Sequence, residues 1–123
     1  MIVVVEDDGA SRDSLRLLLE CEAFSVRDFP SCAAFLAEPA PDDIHCLILD
    51  VHMPGMNGLE LLERLRTQGA SVPIILMTGH STPAIFERAR AAGAFAVIEK
   101  PFRDNELINA VRLALDGSPA MTG

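Results

Sequence analysis

The sequence has no apolar run long enough to cross a membrane, and it does not repeat itself. No Cys-x-x-Cys occurs: Cys21, Cys32 and Cys46 are odd in number and scattered, which predicts buried or half-buried free thiols in a reducing compartment. Cations are few. Ten Lys and Arg stand against 18 Asp and Glu, and a formal charge of -8 excludes a nucleic-acid surface within this chain. No Gly-rich phosphate loop appears, so a nucleotide is not the expected phosphate donor. Met1 leads directly into Ile2-Val3-Val4-Val5, with neither a basic segment nor a small-residue cleavage site. The expectation is therefore no signal peptide and a cytoplasmic location.

What is present is a chain of 123 residues, half of them hydrophobic, which suits one folded domain with a single real core. Short apolar runs alternate with helical spacing. Ile2 to Val5 reads as a buried strand, followed by a helix from Ala10 to Glu22 that Asp8 or Ser11 can cap. A weaker strand spans Phe24 to Phe29, and Pro30-Ser31 opens a short helix. Prolines and acids make Glu38 to Asp43 a loop. Cys46-Leu47-Ile48-Leu49-Asp50 is a buried strand, and Asn57 can cap the helix after it, with Leu59, Leu62 and Leu65 facing inward until Gly69. Val72 to Met77 is a further strand, and Thr82-Pro83 starts a helix that runs to Gly93. The last strand is Phe95 to Ile98, and the last helix starts near Asp104.

Strand and helix thus alternate throughout, which implies an α/β fold with a parallel sheet and helices on both faces. Right-handed crossovers favour a doubly wound (βα)5 sandwich of three layers, with strand order 2-1-3-4-5.

That topology gathers chemistry at one sheet edge. Glu6 and Asp7 follow the first strand, Asp50 ends the third, Thr78 follows the fourth and Lys100 follows the fifth. Neighbouring carboxylates resist ionising together unless a cation joins them, and Mg²⁺ prefers carboxylate oxygens. A lysine supplies a point charge for a phosphate, and a carboxylate can accept a phosphoryl group. The residue types alone point to phosphoryl transfer onto Asp50.

Four stretches resemble the receiver domain of two-component response regulators, in its FixJ-like group: Val4 to Asp8, Leu49 to Gly58, Met77 to His80 and Glu99 to Phe102. They follow that family's order and spacing from about residue 2 to 116. The resemblance implies a flavodoxin-like receiver over residues 1–116 and a tail or linker over 117–123. It also implies roles. Asp50 is the phosphoacceptor, and Asp7 binds Mg²⁺ directly beside it. Glu6 acts through water, and the backbone carbonyl of His52 is a further metal ligand. Thr78 is the hydroxyl that turns toward the phosphoryl group, and Lys100 is its cationic partner. The Lys100-Pro101 peptide is expected to be cis. A sensor histidine kinase is the implied donor. A homodimer through the 85–114 face, and an output domain outside this chain or a stand-alone receiver, are the implied ways of signalling. The implied product is a switch that catalyses only its own phosphorylation and dephosphorylation.

Two departures from the family stand out. Val97 occupies the place where an aromatic residue usually couples the site to the distal face. His52 and His80 each lie two residues past a site residue, where side chains influence the lifetime of the phosphoryl group. Two other readings compete. Asp50-x-His52-x-x-Gly55 also resembles a cobalamin-binding motif, but it follows the third strand, and no Gly-Gly follows downstream. An aspartyl-phosphate phosphatase would carry an acid where His52 stands.

Overall fold

A computed structural model of the chain describes residues 1–38 and 43–117. Residues 39–42 of the expected loop from Glu38 to Asp43, and 118–123 of the expected tail over 117–123, lie outside the described residues. Strands and helices alternate: β1 (Ile2–Val5), α1 (Gly9–Cys21), β2 (Val26–Phe29), α2 (Cys32–Ala37), β3 (Cys46–Asp50), α3 (Gly58–Thr67), β4 (Ile74–Thr78), α4 (Pro83–Ala91), β5 (Ala96–Glu99) and α5 (Asp104–Leu115). The strands are parallel and lie in the order β2-β1-β3-β4-β5, as the alternation predicts.

The three central strands β1, β3 and β4 are nearly continuous apolar runs because both faces of the sheet are covered there, whereas the edge strand β2 carries Arg27 and Asp28. Successive side chains point to opposite faces, which divides each strand between two cores. Ile2, Val4, Ile48, Ile75 and Met77 pack with Leu15 and Leu19 of α1 and with Leu107, Ile108 and Val111 of α5. Val3, Val5, Leu47, Leu49, Ile74 and Leu76 pack with Cys32 of α2, Leu59, Leu61 and Leu62 of α3, and Ala89 of α4. Each fully buried Leu or Ile contributes roughly 1.5–3 kcal/mol. The inward stripe of α3 is wider than Leu59, Leu62 and Leu65: Leu61 is fully buried and Leu65 only partly.

The helix starts are fixed by side chains. Asp8, Ser31, Asn57 and Thr82 each accept a hydrogen bond from a backbone N–H in the first turn. Asn57 and Glu60 form a reciprocal pair, with Glu60 N–H donating to Asn57 Oδ1 at 2.8 Å and Asn57 N–H donating to Glu60 Oε1 at 3.0 Å. Gly69, at φ 87°, supplies the left-handed residue that closes α3.

Two details depart from expectation. Phe24 lies in the turn that closes α1 and outside β2, because its N–H donates to Leu19 O at 3.1 Å behind Ala23, at φ 68°. Cys21 is exposed, while Cys32 and Cys46 are buried as expected. Among the described residues, no helix is long and apolar enough to cross a membrane.

Candidate functional site

Strand register sets the site. Val5 pairs with Leu49, so the next residues, Glu6 and Asp50, leave neighbouring strands at the same level. Asp50 is level with Met77, and Thr78 is level with Glu99, so the edge steps down toward Lys100. The Lys100 N–H donates to Thr78 O at 2.8 Å, which extends the ladder one residue past β5. The Lys100-Pro101 peptide is cis.

The carboxylates converge. Glu6, Asp7 and Asp50 each place an oxygen so that these atoms lie within 4.8 Å of one another. Glu6 and Asp50 are buried, at 1% and 5% exposure, and Asp7 is exposed. Lys100 Nζ donates to Glu6 Oε1 at 2.9 Å and to Asp50 Oδ2 at 3.2 Å. One cation thus joins the acids that end β1 and β3. Burial works against the charged ammonium, but its hydrogen bond to Glu6 and the charges of Asp50 and Glu6 outweigh it and hold the Lys100 pKa above its ordinary value.

Each acid is also held by backbone. Asp50 Oδ1 accepts from the His52 N–H at 3.1 Å, which turns the loop tightly after β3. Glu6 Oε2 accepts from the Asp8 N–H at 3.3 Å, and Glu6 O accepts from the Arg12 guanidinium at 2.9 Å. Asp8 itself caps α1. Its hydrogen bonds from Ser11 keep its carboxyl below the ordinary carboxylate range.

Thr78 is fully buried. Its Oγ1 accepts from the His80 N–H at 3.1 Å and lies 2.9 Å from His52 Nε2. The imidazole of His52 is therefore tied to Thr78 although the residue is exposed. His80 reaches the site through its backbone, and its exposed ring makes no hydrogen bond among the described residues.

Glu6, Asp7, Asp50, His52, Thr78 and Lys100 thus lie together at one edge of the sheet, and His80 adjoins them through its backbone N–H. Sequence reasoning gave no role to Gly58 or Arg12. A Cβ at Gly58 would meet the Asp50 carbonyl oxygen at 2.3 Å, so this position needs glycine for a close backbone approach. A glycine just inside a capped helix start is the signal that marks it. Arg12 also faces Asp28, at 4.0 Å.

The donor set fits a hard divalent cation: clustered carboxylates, one of them exposed, and neither a thiolate nor an imidazole nitrogen among them. A groove of about 950 Å³ opens from Glu6 and Lys100 between α1 and the start of α5, lined in part by Leu17, Leu18 and Phe102.

Known proteins share this fold and much of this sequence. Residues 2–112 match the family described as the response regulator receiver domain. The transcriptional regulatory protein FixJ of Azorhizobium caulinodans is 44% identical over 115 residues, which are 94% of this chain and 54% of that protein. FixJ of Bradyrhizobium diazoefficiens is 40% identical over 114 residues, 93% of this chain and 56% of that protein. The chain therefore spans about half the length of these relatives. The crystal structure of FixJ-N superposes with a TM-score of 0.84 at 37% identity, covering 98% of this chain and 96% of that one. A receiver protein from Pseudoalteromonas atlantica gives 0.88 at 30% identity, covering 94% and 97%. With the family matched almost end to end and FixJ alike in both sequence and backbone, the chain belongs to the response regulator receiver domains of two-component systems, in the FixJ-like group.

Proposed function

We propose that this domain is a phosphorylation-operated switch whose acceptor is Asp50. The observation that carries the reading is the contact of Lys100 with Asp50 and Glu6 beside an exposed third acid, Asp7. A phosphohistidine of a sensor histidine kinase is the donor. An Asp50 carboxylate oxygen attacks phosphorus in line, the new O–P bond forms as the P–N bond breaks, and the donor histidine leaves with the bonding electron pair. Lys100 balances charge on the phosphoryl oxygens, and the Thr78 hydroxyl donates to one of them. Asp7, Asp50 and the His52 carbonyl would hold Mg²⁺, with Glu6 acting through water. Bound there, the metal would neutralise charge on the acids and the phosphoryl group.

The domain turns over only its own phosphoryl group. The groove between α1 and the start of α5 opens beside Glu6 and Lys100, the two residues that flank Asp50 at this edge. New charge at Asp50 draws Thr78 and Lys100 inward and shifts β4-α4 and β5-α5. The 85–114 face is the proposed homodimer surface, and α4 and α5 carry the exposed Phe86 and Leu113. Val97, half-buried in β5, stands where the family's coupling aromatic would be, so the shift travels through backbone and smaller side chains. The FixJ relatives are about twice as long as this chain, which fits an output domain controlling transcription.

Intact-mass measurement after incubation with Mg²⁺ and acetyl phosphate tests the reading. One phosphoryl adduct is expected on the wild type and none on Asp50→Asn. An unmodified wild type, or equal adducts on both proteins, overturns it.

A further inference from the structure

The Thr78 hydroxyl is fully buried, and its oxygen already accepts from the His80 N–H at 3.1 Å. Its own proton needs an acceptor, because a buried hydroxyl rarely leaves one unmatched. His52 Nε2, 2.9 Å away, is the partner able to take it. Counting donors and acceptors therefore assigns the bond as Thr78 O–H donating to His52 Nε2, with the ring proton on Nδ1. The loop geometry holds the imidazole there. The His52 N–H donates to Asp50 Oδ1, which folds residue 52 back across the end of β3 toward β4.

We infer that His52 is a positioning residue that latches the switch hydroxyl, so that Thr78 must exchange His52 Nε2 for a phosphoryl oxygen when Asp50 is phosphorylated. This rests on the phosphoacceptor reading and deepens it. Thr78 has one proton to donate, and the two acceptors compete for it. The latch stabilises the resting form and opposes the phosphorylated one. No covalent step is involved: one hydrogen bond is traded for another. The cost of release is that of a single neutral hydrogen bond, which corresponds to roughly a two- to tenfold bias in the switching equilibrium.

The decisive experiment is a double-mutant cycle on the intact chain with Mg²⁺ and acetyl phosphate. The readout is the phosphodonor concentration that gives half-maximal adduct by intact mass. His52→Ala is expected to lower it roughly two- to tenfold. Thr78→Val keeps the side-chain shape and removes the hydroxyl, and in that background His52→Ala is expected to have no effect. His52→Gln keeps an acceptor within reach and is expected to restore the wild-type value. An undiminished effect of His52→Ala in Thr78→Val, or no effect in the wild type, overturns the latch while leaving Asp50 as acceptor. An unmodified wild type overturns the phosphoacceptor reading and the latch with it. Urea unfolding of the same four proteins without phosphodonor gives a second measurement. There the two substitutions are expected to be non-additive, and strict additivity overturns the latch.

Discussion

Gly58 lies against the backbone of Asp50: a Cβ added at 58 would stand 2.3 Å from the Asp50 carbonyl oxygen and 2.9 Å from its carbonyl carbon. Leu49 Cβ would be 3.0 Å away on the same side. None of these atoms can swing aside, so the first turn of α3 is wedged against the end of β3. Gly58→Ala is therefore expected to cost about 1–3 kcal/mol in urea unfolding, as overpacking does. The strain falls on the backbone of the proposed acceptor, so adduct formation should slow as well. Wild-type stability in this variant would show that α3 can slide off β3 without penalty.

Lys100 is the cation on two buried acids, at 2.9 Å from Glu6 and 3.2 Å from Asp50. Lys100→Met keeps most of the apolar stem and removes the charge. Glu6 and Asp50 then lose their partner, and the expected loss is about 1–3 kcal/mol in the absence of metal. Mg²⁺ should return part of it, because a second cation can take over the compensation. Urea midpoints with and without Mg²⁺ check this. An equal loss under both conditions would mean that Lys100 acts through packing alone.

How much of this was legible in the sequence depends on what fixes each feature. The elements, the strand order and the site edge follow from apolar period and capping residues, which are local. Asp8, Asn57 and Thr82 could be read as caps because a cap needs only a polar side chain at the right offset. The extent of β2 could not. Phe24 has strand character, yet it is held by Leu19 at the end of α1. The contacts of Lys100 with Glu6 and of His52 with Thr78 span 94 and 26 residues, and they depend on how each side chain is rotated. Residue spacing carries no such information. The exposure of Cys21 was hidden for a similar reason: α1 carries Leu17, Leu18 and Leu19 in a row, and only packing decides which of its faces is covered.

Asp7 is the exposed member of the acidic cluster, and Lys100 is bonded to the other two. It is thus the member of the cluster that the protein itself compensates least. Mg²⁺ at about 100 times its dissociation constant should stabilise the folded wild type by roughly 2.7 kcal/mol. Asp7→Asn removes the charge of the proposed ligand while leaving the Lys100 contacts intact, so its stability without metal should stay close to wild type. The Mg²⁺-dependent gain should largely vanish. Thermal unfolding across a Mg²⁺ titration separates the two effects, and an undiminished gain in Asp7→Asn would remove Asp7 from the ligand set.

Burial divides the thiols by reactivity. Cys46, inside β3, is pushed up to about 12 by desolvation. Cys32 is pushed up to about 11, by burial first and by the Glu60 charge second. Its sulfur also lies 3.8 Å from Asn57 O, beneath the cap that starts α3. At pH 8 the folded protein should therefore take one iodoacetamide adduct, mapped to the exposed Cys21, and three after unfolding in urea. The sign of the linkage follows. These pKa values are raised on folding, so the stability is present below the ordinary thiol value of 9.0 and is lost as pH rises toward 11 and 12. Unfolding midpoints should fall across that range, and replacing both buried thiols with alanine should flatten the fall. Rapid labelling of Cys32 in the folded protein would mean that α2 opens often enough to expose the Asn57 cap, and with it the loop that follows Asp50.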